Sequence, residues 1–567
     1  MFGISACIAI ALLCFSGCVL SDDIVVRLPQ GDLRGKEARS SGEHRYYSFQ
    51  GIPYAEPPVG ELRFKPPERH RGWSGTRDAT LEGSVCTQLD DFFFNKGIEG
   101  GEDCLFLNVF TRKVPKEGEE NPRMAVMVWI HGGGFIIGSS HSLIYNPGYL
   151  MDYDIVLVTI NYRLNIFGFL STEDEHAHGN YGMLDQIQAL KWVQENVEHF
   201  GGDPSRVTIF GESAGGASVH LLVLSPLARG LFANAIAMSG VATDAWAVQW
   251  EAREAAERLG EMVGCPKDSS RALVECLRTK DARELVAKAP MFHLWTIMPL
   301  TFTPRVDSEA ESPFLPDDPK ILLREGRFAK VPFMTGVTRE EGLFLTQPAL
   351  LNETLLTAMD ENWDYYCSRM FLEKTEDNGD YCSRLRKQYF GDQPINRHNR
   401  YELVRMAGDQ MMNVGAFETV KVQSRFVPTY LYSFEYEGSF GLIDFIRAMF
   451  VMSLPEKARS SVQKLTGVAH GDDIAYLFPL AFLPRGDERD AAMKDILTDI
   501  FVQFAKSGDP TPDPRSDVKW PQWTQDDPRH FVFDAHPRLS RNLVDSKFLD
   551  FWEQLLASQP KRHREEL

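Results

Sequence analysis

The chain has 567 residues, 43% hydrophobic and 25% charged, which is ordinary globular composition. A net charge of −19 and a pI of about 5.3 argue against nucleic acid and against an anionic membrane surface as partners. No low-complexity linker or internal repeat interrupts the strand and helix signals. One large domain over residues 22–555 is therefore expected, after a leader at 1–21 and before a charged tail at 556–567.

Residues 3–20 form an apolar run followed by Ser21-Asp22-Asp23, borderline in length for a membrane span and without a basic residue on either immediate flank. The run reads as a cleaved secretory signal, with Val19-Leu20-Ser21 placing small residues where cleavage needs them. No transmembrane anchor is then expected in the mature chain; an uncleaved anchor is the alternative. Cys7, Cys14 and Cys18 leave with the signal, and Cys86, Cys104, Cys265, Cys276, Cys367 and Cys382 remain. An even count behind an export signal points to disulfides in an oxidising compartment. Sequential pairing closes three short loops, each contributing at most about 3 kcal/mol, and is the connectivity expected. Asn352-Glu353-Thr354 is a glycosylation sequon that fits the same compartment.

Residues 24–34 and 46–49 read as edge strands of an antiparallel preamble, and 51–67 as a proline-rich surface connection. The stretch between Cys86 and Cys104 is acidic and aromatic, with Asp90, Asp91, Phe92, Phe93 and Phe94; lining a pocket and packing the loop down are both open readings. Residues 124–130, MAVMVWI, read as a buried strand running straight into His131-Gly132-Gly133-Gly134-Phe135. Three glycines there weaken the strand and cost entropy, so they make sense where backbone N–H groups must approach a ligand closely. Residues 155–162 are another buried strand, and 183–200 an amphipathic helix stopped by Gly201-Gly202-Asp203-Pro204.

The run at 207–210, VTIF, suits a strand buried on both faces, and Gly211-Glu212-Ser213-Ala214-Gly215 follows it directly. A helix then begins. Strand, Gly-x-Ser-x-Gly and helix together make a nucleophile elbow, whose glycines let the backbone turn sharply enough to expose the serine hydroxyl. Residues 233–238 are the next strand. The alternation of strand and helix predicts a doubly wound, mainly parallel sheet with its chemistry beyond the strands' carboxyl ends. Residues 253–263 and 272–289 read as helices, 331–337 and 429–436 as strands, and 491–505 as a helix. The strand at 331–337 leads into Thr338-Arg339-Glu340-Glu341-Gly342, and 465–473 reads as a loop holding His470. Trp520 and Trp523 are expected to cap the core.

The Gly211–Gly215 elbow, the His-Gly-Gly-Gly run and the Gly467–Asp473 stretch resemble those of the type-B carboxylesterases, the cholinesterase-like family. Gly51-Ile52-Pro53-Tyr54-Ala55, Glu102-Asp103-Cys104-Leu105, Asn161-Tyr162-Arg163 and Gly201–Pro204 match in the same order, so the resemblance spans nearly the whole mature chain. It implies an α/β-hydrolase: a large, mostly parallel central sheet flanked by helices, with helical insertions. It also implies a serine esterase with a Ser–Glu–His triad and neither metal nor cofactor. Carried over by position, Ser213 matches the nucleophile, His470 the base and Glu341 the acid, with Glu340 as competitor for that place. Gly133, Gly134 and Ala214 match the oxyanion donors. Cys86/Cys104 and Cys265/Cys276 match the family's common disulfides, while Cys367/Cys382 rests on spacing alone.

Among the other histidines, His131 and His220 are decoys: the first is expected to order the glycine loop, and the second follows Ser213 too soon in the elbow helix. Glu212 is expected beside the site, where it supports positive charge. Ser239-Gly240 at a strand end reads as support for the site or as a plain turn. Cholinesterases hold a quaternary ammonium against a tryptophan face. Counting back from Cys104, Phe94 stands there instead. Upstream of Pro304-Arg305-Val306-Asp307, Met298 and Leu300 stand where acetylcholinesterases have paired phenylalanines. The expected substrate is a small-molecule uncharged carboxylic ester. A choline ester is the alternative, and a non-catalytic adhesion member of the same fold is disfavoured by the intact triad. The terminal Arg564-Glu565-Glu566-Leu567 resembles endoplasmic-reticulum retrieval signals, so the secretory pathway is expected, with release or luminal retention as its two ends.

Overall fold

The computed structural model describes residues 24–90, 97–116, 118–294, 297–350, 353–370, 378–442, 444–445, 466–484, 486–511, 519–541 and 546–557. Among these residues, thirteen strands form one sheet. At its first edge lie β1 (Ile24–Leu28), β2 (Gly31–Arg39), β3 (Arg45–Pro53) and β7 (Phe106–Thr111), antiparallel to one another in that order, with β4 (Thr76–Asp78) beside β2. A small separate hairpin is made by β5 (Gln88–Asp90) and β6 (Gly97–Glu99). The sheet continues, all parallel, through β9 (Ile155–Ile160), β8 (Met124–Ile130), β10 (Gly202–Glu212), β11 (Asn234–Met238), β12 (Phe333–Thr338), β13 (Thr429–Phe434) and β14 (His530–Phe533). The antiparallel β15 (Arg538–Ser540) closes the far edge.

The parallel run explains why its strands read as unbroken apolar segments. Successive side chains point to opposite faces, and both faces are covered. In β8, Val126, Val128 and Ile130 join the core formed with the helices Tyr181–Asn196 and Ala214–Leu224. Ala125, Met127 and Trp129 enter a second core, against the helix Glu488–Ser507 through Leu497, Ile500, Phe501 and Phe504. That last helix starts at a capping box made by Asp487 and Asp490 and stops at Gly508, which has φ of 74°.

Several expectations shift. The stretch 24–34 is two strands, because a turn at Pro29-Gln30 folds β1 back onto β2. Gly51-Ile52-Pro53 is not a surface connection but the end of β3, where Ile52 pairs with Leu107 past a bulge and is fully buried. The helical reading of 272–289 breaks after Thr279, since Asp281 accepts hydrogen bonds from the N–H groups of Arg283 and Glu284 and so caps a new helix, Ala282–Val286. The helix Tyr181–Asn196 gives way to a 3-10 turn, Val197–Phe200, before Gly201 ends it in left-handed geometry. Trp520 and Trp523 are both buried.

Between β12 and β13 lies a helical block: Gly342–Leu350, Glu353–Glu361, Trp363–Met370, Asn378–Phe390, Arg400–Gly408 and Val414–Gln423, with a π-turn at Asp409–Asn413. Among the described residues, no helix is long and apolar enough to cross a membrane.

Candidate active site

The site is built where the carboxyl ends of β8, β10 and β12 meet the loop before the 3-10 turn Asp472–Tyr476. At the end of β10 the chain turns directly into the helix Ala214–Leu224, and Ser213 at the corner adopts φ 58° and ψ −124°. A serine pays strain for a positive φ, and it persists here because its surroundings over-determine it. The Ser213 N–H donates to the Met238 carbonyl at 2.8 Å and its own carbonyl accepts from Ala217 at 2.8 Å. Gly215 is obligatory for packing, since a Cβ there would lie 2.0 Å from the Ile130 carbonyl oxygen of the neighbouring strand. From Val207 to Ser225, Ser213 alone is not buried. Its hydroxyl makes no hydrogen bond among the described residues.

The glycine run leaves β8 and passes over this corner. A Cβ on Gly132 would stand 3.1 Å from the Ser213 Cβ and 2.8 Å from Glu212 Oε2. Gly134 has φ of 62°, and Leu300 Cδ2 would lie 3.2 Å from a Cβ placed on it. The loop is held from outside: Ile136 and Ile137 donate to the Gly133 carbonyl, and Asn165 donates to that of Phe135. The N–H groups of Gly133, Gly134 and Ala214 donate to no other group among the described residues. Open donors beside a half-exposed serine are what an oxyanion requires. His131 is fully buried, its ring stacked on Tyr162 at 4.4 Å, with Nδ1 2.8 Å from the Gly132 carbonyl. It fastens the loop from beneath.

His470 lies between two carboxylates. Its Nδ1 is 2.6 Å from Glu341 Oε2 and its Nε2 is 3.1 Å from Glu212 Oε1. Glu341 is itself fixed, its Oε1 accepting from the Ser239 hydroxyl and the Thr338 N–H, both at 2.6 Å. The adjacent Glu340 faces away. It accepts from the Val468 N–H at 2.6 Å and from Arg339 Nε at 2.7 Å, and so ties the histidine loop to the end of β12. Of the two glutamates, the structure brings Glu341 alone to the imidazole. Phe344 packs on the same ring at 5.5 Å.

The 3.1 Å approach of Glu212 Oε1 to Nε2 is an ion-pair distance without hydrogen-bond geometry, and that oxygen has no hydrogen-bond partner among the described residues. Its effect is electrostatic. Burial pushes the Glu212 carboxyl up to about 8. Burial alone would lower His470, but Glu212 and Glu341 outweigh it and lift the imidazole to about 9. The neighbouring Asp473, buried with Tyr432 donating to it at 3.3 Å, is pushed up to about 7 by burial. The charge states of the two groups at 3.1 Å are thus coupled.

Ser239 is the functional contact that composition and spacing leave undecided; only its place at the end of β11 hints at its partnership with Glu341. Of the two pocket residues upstream of Pro304, Leu300 abuts the glycine loop, whereas Met298 is buried in the core with its carbonyl accepting from Leu294 at 2.7 Å. His220 bonds away from Ser213, Glu341 and His470: Ala242 donates to its Nδ1 at 3.0 Å and its Nε2 faces Gln423 Oε1 at 3.2 Å. Phe94 and Asn352 lie outside the described residues, as do the leader and the terminal tetrapeptide. Cys86–Cys104, Cys265–Cys276 and Cys367–Cys382 are each bonded, at sequence separations of 18, 11 and 15.

Comparison with known proteins bears on the same point. Residues 22–552 match the model of the carboxylesterase family. A juvenile hormone esterase of Tribolium castaneum is 37% identical over 86% of this chain and 84% of its own. Venom carboxylesterase-6 of Apis mellifera is 35% identical, covering 88% of this chain and 87% of its own. Carboxylesterase 1E of Mus musculus is 33% identical over 94% of each. The sheet order, the elbow and the length of these matches agree: the chain belongs to the carboxylesterase family and is a serine carboxylic-ester hydrolase.

Proposed function

We propose that Ser213, His470 and Glu341 form the catalytic triad, that the amides of Gly133, Gly134 and Ala214 form the oxyanion hole, and that the substrate is an uncharged carboxylic ester. The observation that carries this reading is the chain of contacts from Ser239 and Thr338 through Glu341 to His470, ending beside the half-exposed corner that holds Ser213. Glu341 fixes the tautomer with hydrogen on Nδ1, which leaves Nε2 of the neutral imidazole to take the Ser213 proton. The serine oxygen then bonds to the ester carbon, and the carbonyl oxygen, now negative, accepts from the three open amides. Each such donor is typically worth about 3–4 kcal/mol. Collapse of this intermediate breaks the bond to the alcohol oxygen, which leaves with the proton from Nε2. Water, deprotonated by the same nitrogen, hydrolyses the acyl-enzyme and restores Ser213.

The choice of an uncharged ester is supported by Leu300, an aliphatic wall next to Gly134, on the side where the acyl group enters. A branched aliphatic side chain leaves more room than a ring, so acyl groups longer than acetyl fit. The relatives are named juvenile hormone esterase and carboxylesterase, which agrees. Within the secretory pathway, the export leader and terminal Arg-Glu-Glu-Leu support a luminal or secreted enzyme; deletion of residues 564–567 should raise release into the medium if the tail acts in retrieval. The deciding experiment for the chemistry has two parts. An organophosphate should label Ser213 and no other serine, and catalytic efficiency should be higher for a nitrophenyl butyrate than for acetylthiocholine. Label on another serine would remove the mechanism, and preference for acetylthiocholine would make the enzyme a cholinesterase.

A further inference from the structure

The site has two sides that the geometry separates. The carbonyl oxygen must point to the amides of Gly133 and Gly134, and Leu300, whose Cδ2 would lie 3.2 Å from a Cβ on Gly134, borders that side and is taken as the acyl wall. The alcohol oxygen must receive its proton from His470 Nε2, which puts the alcohol group at the edge marked by Glu212 Oε1, 3.1 Å from that nitrogen. Beside that edge stands a residue from a distant part of the chain. A Cβ placed on Gly471, the residue after His470, would lie 3.0 Å from Leu442 Cδ2 and 3.4 Å from Glu212 Oε1, so the three converge at one point. Leu442 is half-buried, so part of its side chain remains accessible.

Its position is fixed from below. Beyond β13 the chain is strapped across the histidine loop: Tyr436 Oη and the Ser439 N–H both donate to Asp490 Oδ1 at 3.1 Å. Phe440 stacks on Tyr476 at 5.8 Å, and Gly441 passes so close to Asp472 that a Cβ would meet its Oδ1 at 2.7 Å. A strap fastened at Asp490, Tyr476 and Asp472 holds the Leu442 backbone in place while its side chain extends toward the proton-donating edge.

We propose that Leu442 is the specificity-determining residue for the alcohol moiety, setting the size and apolar character of the leaving group while leaving acyl preference untouched. The inference rests on His470 being the proton donor to the leaving alcohol. It gives the substrate class a second coordinate: an aliphatic contact on the alcohol side favours an apolar alcohol over a charged one, despite the carboxyl of Glu212 nearby.

The test uses two pairs of esters with the full-length enzyme. Methyl and 1-naphthyl butyrate share the acyl group and differ in the alcohol; 4-nitrophenyl acetate and hexanoate share the alcohol and differ in the acyl group. Leu442→Trp should lower the naphthyl-to-methyl ratio of kcat/KM about tenfold, and Leu442→Ala should raise it, since a few methylenes in an apolar pocket are worth about 10-fold or more. The hexanoate-to-acetate ratio should stay within twofold in both. Because the alcohol has left before deacylation, the rate of butyryl-enzyme breakdown should not change. If the larger side chain prevents folding, the alanine variant decides, its active-site concentration being measured by organophosphate titration. An alcohol ratio within twofold of the native value, or an acyl ratio that moves equally far, overturns the proposal. Failure of the triad assignment would show separately, as turnover that survives in Ser213→Ala.

Discussion

Two buried histidines, His470 at the strand ends and His220 inside the elbow helix, share exclusion from water and differ in everything else. Burial lowers His220 to about 3, because its neighbours are an amide N–H and a glutamine that offer no charge. Burial works against His470 too, yet Glu212 and Glu341 lift it to about 9. Desolvation by itself makes a histidine inert and neutral; a carboxylate on each nitrogen makes it a proton store. The contrast also reverses the pH dependence of stability. The contribution of His470 is complete below about 6.5 and is lost as pH rises through about 9. That of His220, whose native form binds no proton, is complete above about 6.5 and is lost as pH falls toward about 3.

The largest effect expected from breaking this contrast is on turnover. His470→Ala and Ser213→Ala should each lower kcat by about 10⁴-fold or more while the thermal transition stays near that of the native enzyme. Measurement of both quantities on the same preparation separates chemistry from folding. A His470→Ala enzyme that turns over within tenfold of native would remove the imidazole from the mechanism.

The paired glutamates sharpen the same point. Glu341→Gln should cost about 10⁴-fold in kcat, since the amide no longer enforces the Nδ1–H tautomer. Glu340→Gln should leave kcat/KM within a few-fold and lower stability modestly, because Glu340 holds the Val468 N–H and Arg339 rather than the imidazole. The reverse order of effects would exchange their places.

What the chain disclosed on reading follows the same division. The buried parallel strands, the glycine run and the Gly-x-Ser-x-Gly corner are local: each is a contiguous pattern whose conformational demand is visible in its own residues. The choice between Glu340 and Glu341 is not local, because identical neighbours differ only in which way a three-residue turn aims them. Ser239 and Leu442 are less legible still, one arriving from β11 and the other across a strap about 30 residues before His470. The strand β7 carries no clear apolar signature because Asn108 interrupts its run. That asparagine is satisfied inside the sheet by the Ser140 carbonyl at 3.1 Å and Thr159 Oγ1 at 3.1 Å. In the helical block after Gly342, the helices Arg400–Gly408 and Val414–Gln423 start without a side-chain cap, so their boundaries emerge only from packing.

A smaller effect is expected from Glu212. Glu212→Gln removes one of the three carboxylates that lift His470, so the acidic limb of kcat/KM against pH should move to lower pH. The neutral imidazole, the form that can accept the serine proton, then persists into more acidic solution. An unmoved limb would mean that the contact at 3.1 Å is electrostatically silent and that Glu341 and Asp473 set the imidazole's proton affinity.

The smallest effect on activity belongs to His220→Ala, and it is the one that tests the comparison from its other end. Removing the ring leaves the Ala242 N–H and the Gln423 side chain without their partner in a buried setting, and empties a place packed against Phe333 at 5.1 Å. An unsatisfied buried donor costs about 1–3 kcal/mol, so the denaturation midpoint should fall measurably. Ala242 follows three residues after Ser239, so some loosening reaches the support of Glu341, and kcat/KM should drop by no more than a few-fold. The pH–rate profile should keep its shape, because burial lowers His220 to about 3 and leaves it without a proton near neutral pH. In the stability–pH curve, however, the decline between about 6.5 and 3 should become shallower by the share His220 contributes. A variant with native stability and a displaced pH–rate profile would show that His220 exchanges protons with the site, and the division between the two histidines would fail.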